Sequence, residues 1–442
     1  MSSKEALKVM VCQEIDRRRD EIIGIAESIL RMPEPGFREY RTAKLVSEKM
    51  TELGIPHETG IAITGVKGAV PGASSGPSVC VMGELDSLIV PDHPYADKAT
   101  GAAHVCGHNC QIAMMLGVAA AITRTGVLPS LAGKVVFIAV PAEEGIEIEW
   151  RDDLRRQGKL HSLGGKPEFI KLGAMDDVDM VLMNHTSSEL GEKKVALGSS
   201  NNGFVAKRVQ FIGRSAHAGA APHKGINALN AAMIALNAIN AQRETLKDDD
   251  TVRLHFIMTK GGASVNAVPA DVRIEGRARA KNAAAILDAS EKVDRSLRAG
   301  AMAVGAKVKI TTIPGYLPIV TYPELRGVYE SNAASIVDAE AIGYLGHRTG
   351  SSDVGDISQI MPIMQPYSAG ATGIGHGSNY LIEDYDLAVI NPTKIIAMTV
   401  IDLLADGAAK GKEVLAKSKP PMTREQYLEY VNGLLREEEF QG

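Results

Sequence analysis

Four short segments carry acid, imidazole and thiol groups in an order that could do chemistry. Gly83-Glu84-Leu85-Asp86 offers two carboxylates. His104-Val105-Cys106-Gly107-His108-Asn109 offers imidazole and thiol. Pro141-Ala142-Glu143-Glu144-Gly145 offers a carboxylate pair, and Asn184-His185 a further imidazole. Thiolate, imidazole and carboxylate together suit a divalent transition metal, Zn²⁺, Mn²⁺, Co²⁺ or Fe²⁺, far better than Mg²⁺ or Ca²⁺. Cys106 and His108 stand two apart, and on a helix they would face different sides. They converge only from an extended or tight turn, with Asn109 then expected to cap the helix that follows. Of two consecutive glutamates, one can face the metal while its neighbour stays at the rim. A ligand beside a free carboxylate is what hydrolysis needs: the free group takes a proton from metal-activated water and returns it to a leaving nitrogen. Taken singly, each segment has an ordinary explanation, such as a solvated Glu-Glu pair or a capped core histidine. Their joint arrival at successive strand ends points to a site. His57, His93, His161, His223, His255 and His347 have no such context and read as ordinary, while His104 stays open.

The elements that must position these groups follow from hydrophobic periodicity. Residues 5–30 carry apolar residues at helical spacing, and Arg41 to Leu53 forms a second amphipathic helix. Val79–Met82, Lys134–Val140 and Met180–Met183 read as buried strands. The Ala-, Met- and Leu-rich Ile112–Ile122 reads as a buried helix. This alternation predicts an α/β fold, a mostly parallel sheet flanked by helices, with ligands beyond the carboxyl ends of its strands. From residue 203 the pattern changes. Strands at Phe204–Ile212, Val252–Thr259, Val272–Arg279 and Lys307–Ile313, with helices at Asn227–Gln242 and Asn282–Val304, give β-α-β-β-α-β, the ferredoxin-like split unit. Apolar segments resume at Ile360–Met364, and Lys394–Leu404 reads as a helix. The expected organisation is a catalytic domain in two parts, 1–202 and 317–442, with an α+β lid inserted at 203–316. The charged tail after Gly411 is expected to pack loosely.

Bulk composition narrows the function. The 442 residues are 45% hydrophobic and 23% charged, with a net charge of −5 and no basic block, so nucleic acid is not an expected partner. Aromatic residues, at 4%, are too few for base-stacking surfaces. Four scattered cysteines do not make a disulfide framework and fit a reducing compartment. No secretory leader and no stretch of about 18 apolar residues stands out, so a cytoplasmic enzyme away from membranes is expected.

The segments Glu84-Leu-Asp86-Ser-Leu, His104-Val-Cys106-Gly-His108-Asn109 and Pro141-Ala-Glu143-Glu144-Gly resemble the M20 metallopeptidase and amidohydrolase family, in its M20D branch. With Ser352-Asp353-Val-Gly-Asp356-Ile-Ser, the likeness is to the aminobenzoyl-glutamate hydrolase subgroup. It implies a zinc-exopeptidase-like fold and one or two ions, Mn²⁺ or Zn²⁺. It implies Cys106, His108, Glu144, His185 and His376 as ligands, Glu143 as general base and Asp86 as the acid that orients the metal shell. Arg214-Ser-Ala-His217-Ala-Gly matches the lid motif whose histidine stabilises the oxyanion, often from a partner subunit. Asn266 and Arg279 match substrate-facing lid residues, and Tyr380 is a candidate contact. The implied assembly is a homodimer or higher homo-oligomer through the lid. The implied substrate is a small carboxylate-bearing molecule, an N-acyl amino acid or aminobenzoyl-glutamate type. Two departures stand out: an insertion over 146–166 beside the glutamate pair, expected to reshape the pocket, and a long loop Asp92–Lys98. They keep open hydrolytic deamination of an activated arylamine such as 5-nitroanthranilate. A non-catalytic metal-dependent binding module is the third class.

Overall fold

The computed structural model describes residues 3–198 and 200–442. Six strands form the central sheet in the order His57–Ile61, Gly65–Pro71, Ala132–Val140, Ser74–Glu84, Met180–Leu182, Ile363–Met364. The last four run parallel and the first two antiparallel. In register, Glu84 pairs with Val140 and Val81 with Leu182. Glu84 and Val140 end level, Met180–Leu182 and Ile363–Met364 stop about three residues short of them, and the segments that follow emerge at one edge. The helix His108–Arg124 is buried along nearly its whole length. A helix apolar on every side belongs in a core, and this one packs against Lys4–Arg17, Arg19–Leu30 and Asn391–Leu404. The single helix expected over 5–30 is broken at Arg18. The segment Asp386–Leu404 is apolar and long enough by composition to cross a membrane, contrary to expectation, but 83% of its apolar window is buried inside the protein. All four cysteines are free.

Between 203 and 314 the element order is β-α-β-β-α-β, and the strands are antiparallel in the order Arg253–Lys260, Asp271–Ala280, Gly203–Ile212, Lys307–Pro314. Helices Ala228–Ala241 and Ala283–Val304 cover one face; Asn227 and Asn282 cap them by accepting backbone N–H groups. The tail corrects the expectation of loose packing. Its helix Arg424–Leu434 has a full capping box, and Tyr427 on it is buried. Residues Arg436–Gln441, placed by sequence with the second catalytic segment, instead add a fifth strand to the lid sheet, pairing with Lys307–Thr312. Glu438 bonds Arg298 at 2.8 Å and Glu439 bonds Lys307 at 2.6 Å, so cations of the lid neutralise two of the glutamates, and Arg156 of the insertion reaches Glu437 at 3.0 Å.

The insertion after Gly145 holds the lid and contributes little to the pocket. Its helix Ile148–Arg156 lies against the uncovered face of the lid sheet. There Ile148 and Leu163 pack with Phe204, Ala206, Ile313 and Tyr316. Arg208 of the lid reaches Asp152 and Asp153 at 2.8 Å and Glu149 at 3.1 Å, and Arg273 reaches Glu149 at 2.6 Å. The Asp152 side chain is fully buried, so it is more costly to leave short of a partner than a surface acid. Arg208→Met is expected to lower stability by about 1–3 kcal/mol, read as a shift of the urea unfolding midpoint; an unmoved midpoint would remove this contact from the forces that hold the lid.

Candidate metal centre and substrate cleft

Gly107 is the residue that lets Cys106 and His108 converge. It sits in the left-handed region at φ 82° and, in place of Asn109, occupies the N-cap of the helix His108–Arg124. A Cβ there would lie 1.8 Å from Thr186 Oγ1. Asn109, one turn position on, instead donates to the Ala26 carbonyl at 3.1 Å. The sharp turn throws Cys106 back toward the end of the neighbouring strand, where its Sγ lies 3.3 Å from His185 Nε2.

Three overlapping donor groups result. Cys106, His108 and His185 offer ligand atoms within 4.8 Å of one another, and so do Cys106, Glu144 and His376, and Glu84, His108 and Glu143. His376 Nε2 lies 3.3 Å from Glu144 Oε1. The outward nitrogens of the two inner imidazoles are already committed: His108 Nδ1 donates to the Asp86 carbonyl at 2.9 Å, and His185 Nδ1 to the Thr186 carbonyl at 2.6 Å. Such bonds fix the tautomer and leave Nε2 bare for an ion. His108 Nε2 and Glu144 Oε1 are buried and make no hydrogen bond among the described residues, while Glu84 Oε2 stands 3.0 Å from His108 Nε2 as an ion-pair partner. Orphaned buried donor atoms of these types are what a transition-metal site looks like, so the residues fit the ion. Burial pushes His185 down to about 4 and raises the Cys106 thiol. On His108 burial is outweighed by Glu84 and Cys106, which hold it well above the ordinary range.

The remaining predicted residues divide. Asp86 is buried and lies 3.2 Å from His108 Nδ1, while its Oδ2 accepts from the Glu144 N–H at 2.9 Å. Glu143 stands beside the donors, 4.0 Å from His108 Nε2. Burial, then Glu84 and Glu144, push its carboxyl well above the usual range. Arg279 lines the cleft, as does Tyr380, whose hydroxyl pairs with Thr186 Oγ1 at 2.7 Å. His217 and Asn266 do not join them. Both are exposed on the lid and absent from the cleft of this chain; His217 Nδ1 accepts N–H groups of Gly219 and Ala220.

Sequence reasoning missed the buried cations. Lys166 is fully buried between Glu84, at 2.6 Å, and Asp353. Gln111 holds the other Glu84 oxygen at 2.7 Å. Arg151, from the insertion helix, is fully buried and donates to the carbonyls of Ala142 and Leu163. His93, read as ordinary, holds the Tyr380 carbonyl at 2.8 Å. Only a position facing paired carboxylates distinguishes Lys166 from a surface lysine, and that partner is remote in sequence.

Residues 199–303 match the model of the peptidase dimerisation domain of the M20 type. The mouse Xaa-Arg dipeptidase is 26% identical over 90% of this chain and 89% of its own. The N-acyl-L-amino acid amidohydrolase of Geobacillus stearothermophilus is 25% identical over 73% and 82%. Among solved structures, the YXEP protein of Bacillus subtilis, described as a dinuclear metal-binding peptidase of the M20 family, superposes with a TM-score of 0.62 at 18% identity, covering 88% of this chain and 99% of that one. The chain is a hydrolase with the M20 peptidase fold. The dimerisation-domain match falls on the segment that carries His217, Asn266 and Arg279, so this M20 lid supplies the cleft with one of the three in cis.

Lys166→Met would leave Glu84 and Asp353 facing each other in the interior. The expected cost is about 3–5 kcal/mol, visible as a lower melting temperature; a variant as stable as the parent would show that the cluster is not charged. Gly107→Ala is expected to lower bound metal, measured by elemental analysis, at least tenfold, because no adjustment short of moving Thr186 admits the methyl group; full metal content would disprove the role given to this turn.

Proposed function

We propose that the protein is a metal-dependent amidohydrolase that cuts the C–N bond of a small carboxylate-bearing molecule of the N-acyl amino acid or aminobenzoyl-glutamate type. The observation that carries this reading is the free Glu143 carboxylate beside the Cys106, His108, Glu144, His185 and His376 donors, with Arg279 facing them across the same cleft. A divalent transition metal held by those donors, Mn²⁺ or Zn²⁺ and one ion or two, supplies Lewis acidity that acidifies water and polarises the scissile carbonyl.

The chain's own groups do the rest. Glu143 accepts the proton of the attacking water on a carboxylate oxygen and delivers it to the departing nitrogen. Asp86 keeps His108 in one orientation and ties it to the Glu144 backbone. The Tyr316 hydroxyl donates to the Glu143 carbonyl and so fixes that residue's backbone. Arg279 takes the substrate carboxylate, for which a planar guanidinium is suited. Tyr380 closes the wall beside Thr186. His217 and Asn266 reach a cleft only from a second copy of the chain, which makes a homodimer through the lid part of the proposal.

A turnover screen read by mass spectrometry tests it, with aminobenzoyl-glutamate, a set of N-acyl amino acids and 5-nitroanthranilate, each with Mn²⁺ and with Zn²⁺. Amide cleavage is expected, abolished by chelation and restored by added metal. Glu143→Ala is expected to lower kcat by roughly 10²–10⁴ while bound metal stays at the parent level. Ammonia release from 5-nitroanthranilate without amide cleavage would replace this reading by the arylamine one, and no turnover of any C–N substrate would leave a binding module.

A further inference from the structure

The lid strand Asp271–Ala280 alternates between two environments. Val272, Ile274, Ala278 and Ala280 face the lid core. Its other face turns to the catalytic domain, and along it the charged residues are used up in order. Arg273 is bound by Glu149 at 2.6 Å, and Glu275 accepts the Glu149 N–H at 3.2 Å. Arg277 and Arg279 come next and have no carboxylate. Among the described residues neither makes an ion pair. The Arg277 side chain gives one N–H to the Gly145 carbonyl, and the Arg279 side chain makes no hydrogen bond among the described residues.

Both guanidinium groups lie over the same ring. Phe204, the cross-strand partner of Arg279, has its centroid 4.6 Å from Arg277 Cζ and 5.7 Å from Arg279 Cζ. Both line the cleft of about 680 Å³ that holds Cys106, Glu143, Glu144, His185 and His376. Arg348, which also lines the cleft, is already answered by Glu189 at 3.3 Å. Burial, and after it the repulsion between two like charges on one ring, brings Arg279 down to about 10. A pair of planar donors held this way is ready for two carboxylates, and it repels a cationic side chain.

We infer that Arg277 is a specificity-determining residue that selects substrates with a second carboxylate, so that the amino acid released is acidic, with its α-carboxylate on Arg279 and its side-chain carboxylate on Arg277. The inference rests on the amidohydrolase reading for its chemistry, but its binding step stands without turnover.

Calorimetry on metal-loaded Glu143→Ala protein isolates that step, with N-acetyl-L-glutamate and its neutral isostere N-acetyl-L-glutamine as probes. Glutamate is expected to bind at least tenfold more tightly. Adding Arg277→Met should reduce that ratio to below threefold by weakening only the acidic ligand, and Arg277→Lys should restore part of it. Equal binding of the two probes, or a ratio untouched by Arg277→Met, overturns the assignment whatever the enzyme turns over. In the catalytically intact protein the same preference is expected in KM, and Arg277→Met is expected to raise KM for the acidic substrate more than for the neutral one. Cleavage of neutral and acidic substrates with equal KM would sink the inference and leave the amidohydrolase reading standing. Discrimination in binding without cleavage of either would do the reverse.

Discussion

Too many carboxylates in one place is the constraint around which this molecule is arranged. Glu39, Glu84, Asp86, Glu143, Glu144 and Asp353 are all buried at the carboxyl edge of the central sheet. Without compensation such a group would take up protons or force the edge apart. Glu39 shows the pressure directly: burial and Asp86 push it up to about 7 even though it accepts the Ala142 N–H at 2.8 Å. Lys166 offsets one flank of the cluster and Arg151 lies under the other. The donors in the middle are left for an ion. The buried position of Lys166 brings opposite charge to this edge, and the left-handed backbone at Gly107, Ala142 and His376 aims the donors around it.

The insertion belongs to the same arrangement. Arg151 and Asp152 are neighbours on one short helix and point opposite ways in function. Arg151 goes down beneath the Ala142 carbonyl, and Asp152 goes up to Arg208 of the lid. A single helix therefore joins the loop that carries Glu143 to the sheet that carries Arg277 and Arg279. The spacing between the donors and the lid arginines is set by this contact as well as by the chain crossings near 203 and 316. The apolar cluster around Phe204 and Tyr316 keeps water from competing with the ion pairs beside it.

Much of this was legible in the sequence where a local pattern decides the outcome. Alternation in Phe204–Ile212 and helical spacing in Asn282–Val304 are imposed by the face that must be buried, so the elements of the lid could be read within a residue or two. The candidate donors were legible because Cys, His and Glu at strand ends are rare combinations. What could not be read depends on partners far away in the chain. Lys166 sits in a polar stretch and looks solvated until Glu84 and Asp353 are seen on either side. Arg436-Glu-Glu-Glu-Phe-Gln looks like a charged tail, and it becomes a strand because Lys307, Lys309 and Arg298 wait opposite. Asn109 looked like a cap by type, yet the cap is Gly107, chosen by a close approach to Thr186 that no local rule contains. His217 and Asn266 were placed in the site by likeness, and one chain alone does not bring them there.

The fifth lid strand also ties the order of folding to the order of synthesis. The first four strands of the lid are contiguous and could assemble as soon as they leave the ribosome. The edge at Lys307–Pro314 then stays open while the whole of 317–435 is made, and an open edge is a template for another chain. Closing it late joins residues far apart in sequence, a slow, non-local step. The glutamates of 436–441 and the lysines that await them give that step a charge match: Lys309 lies directly opposite Glu439, and Lys307 reaches the same carboxylate.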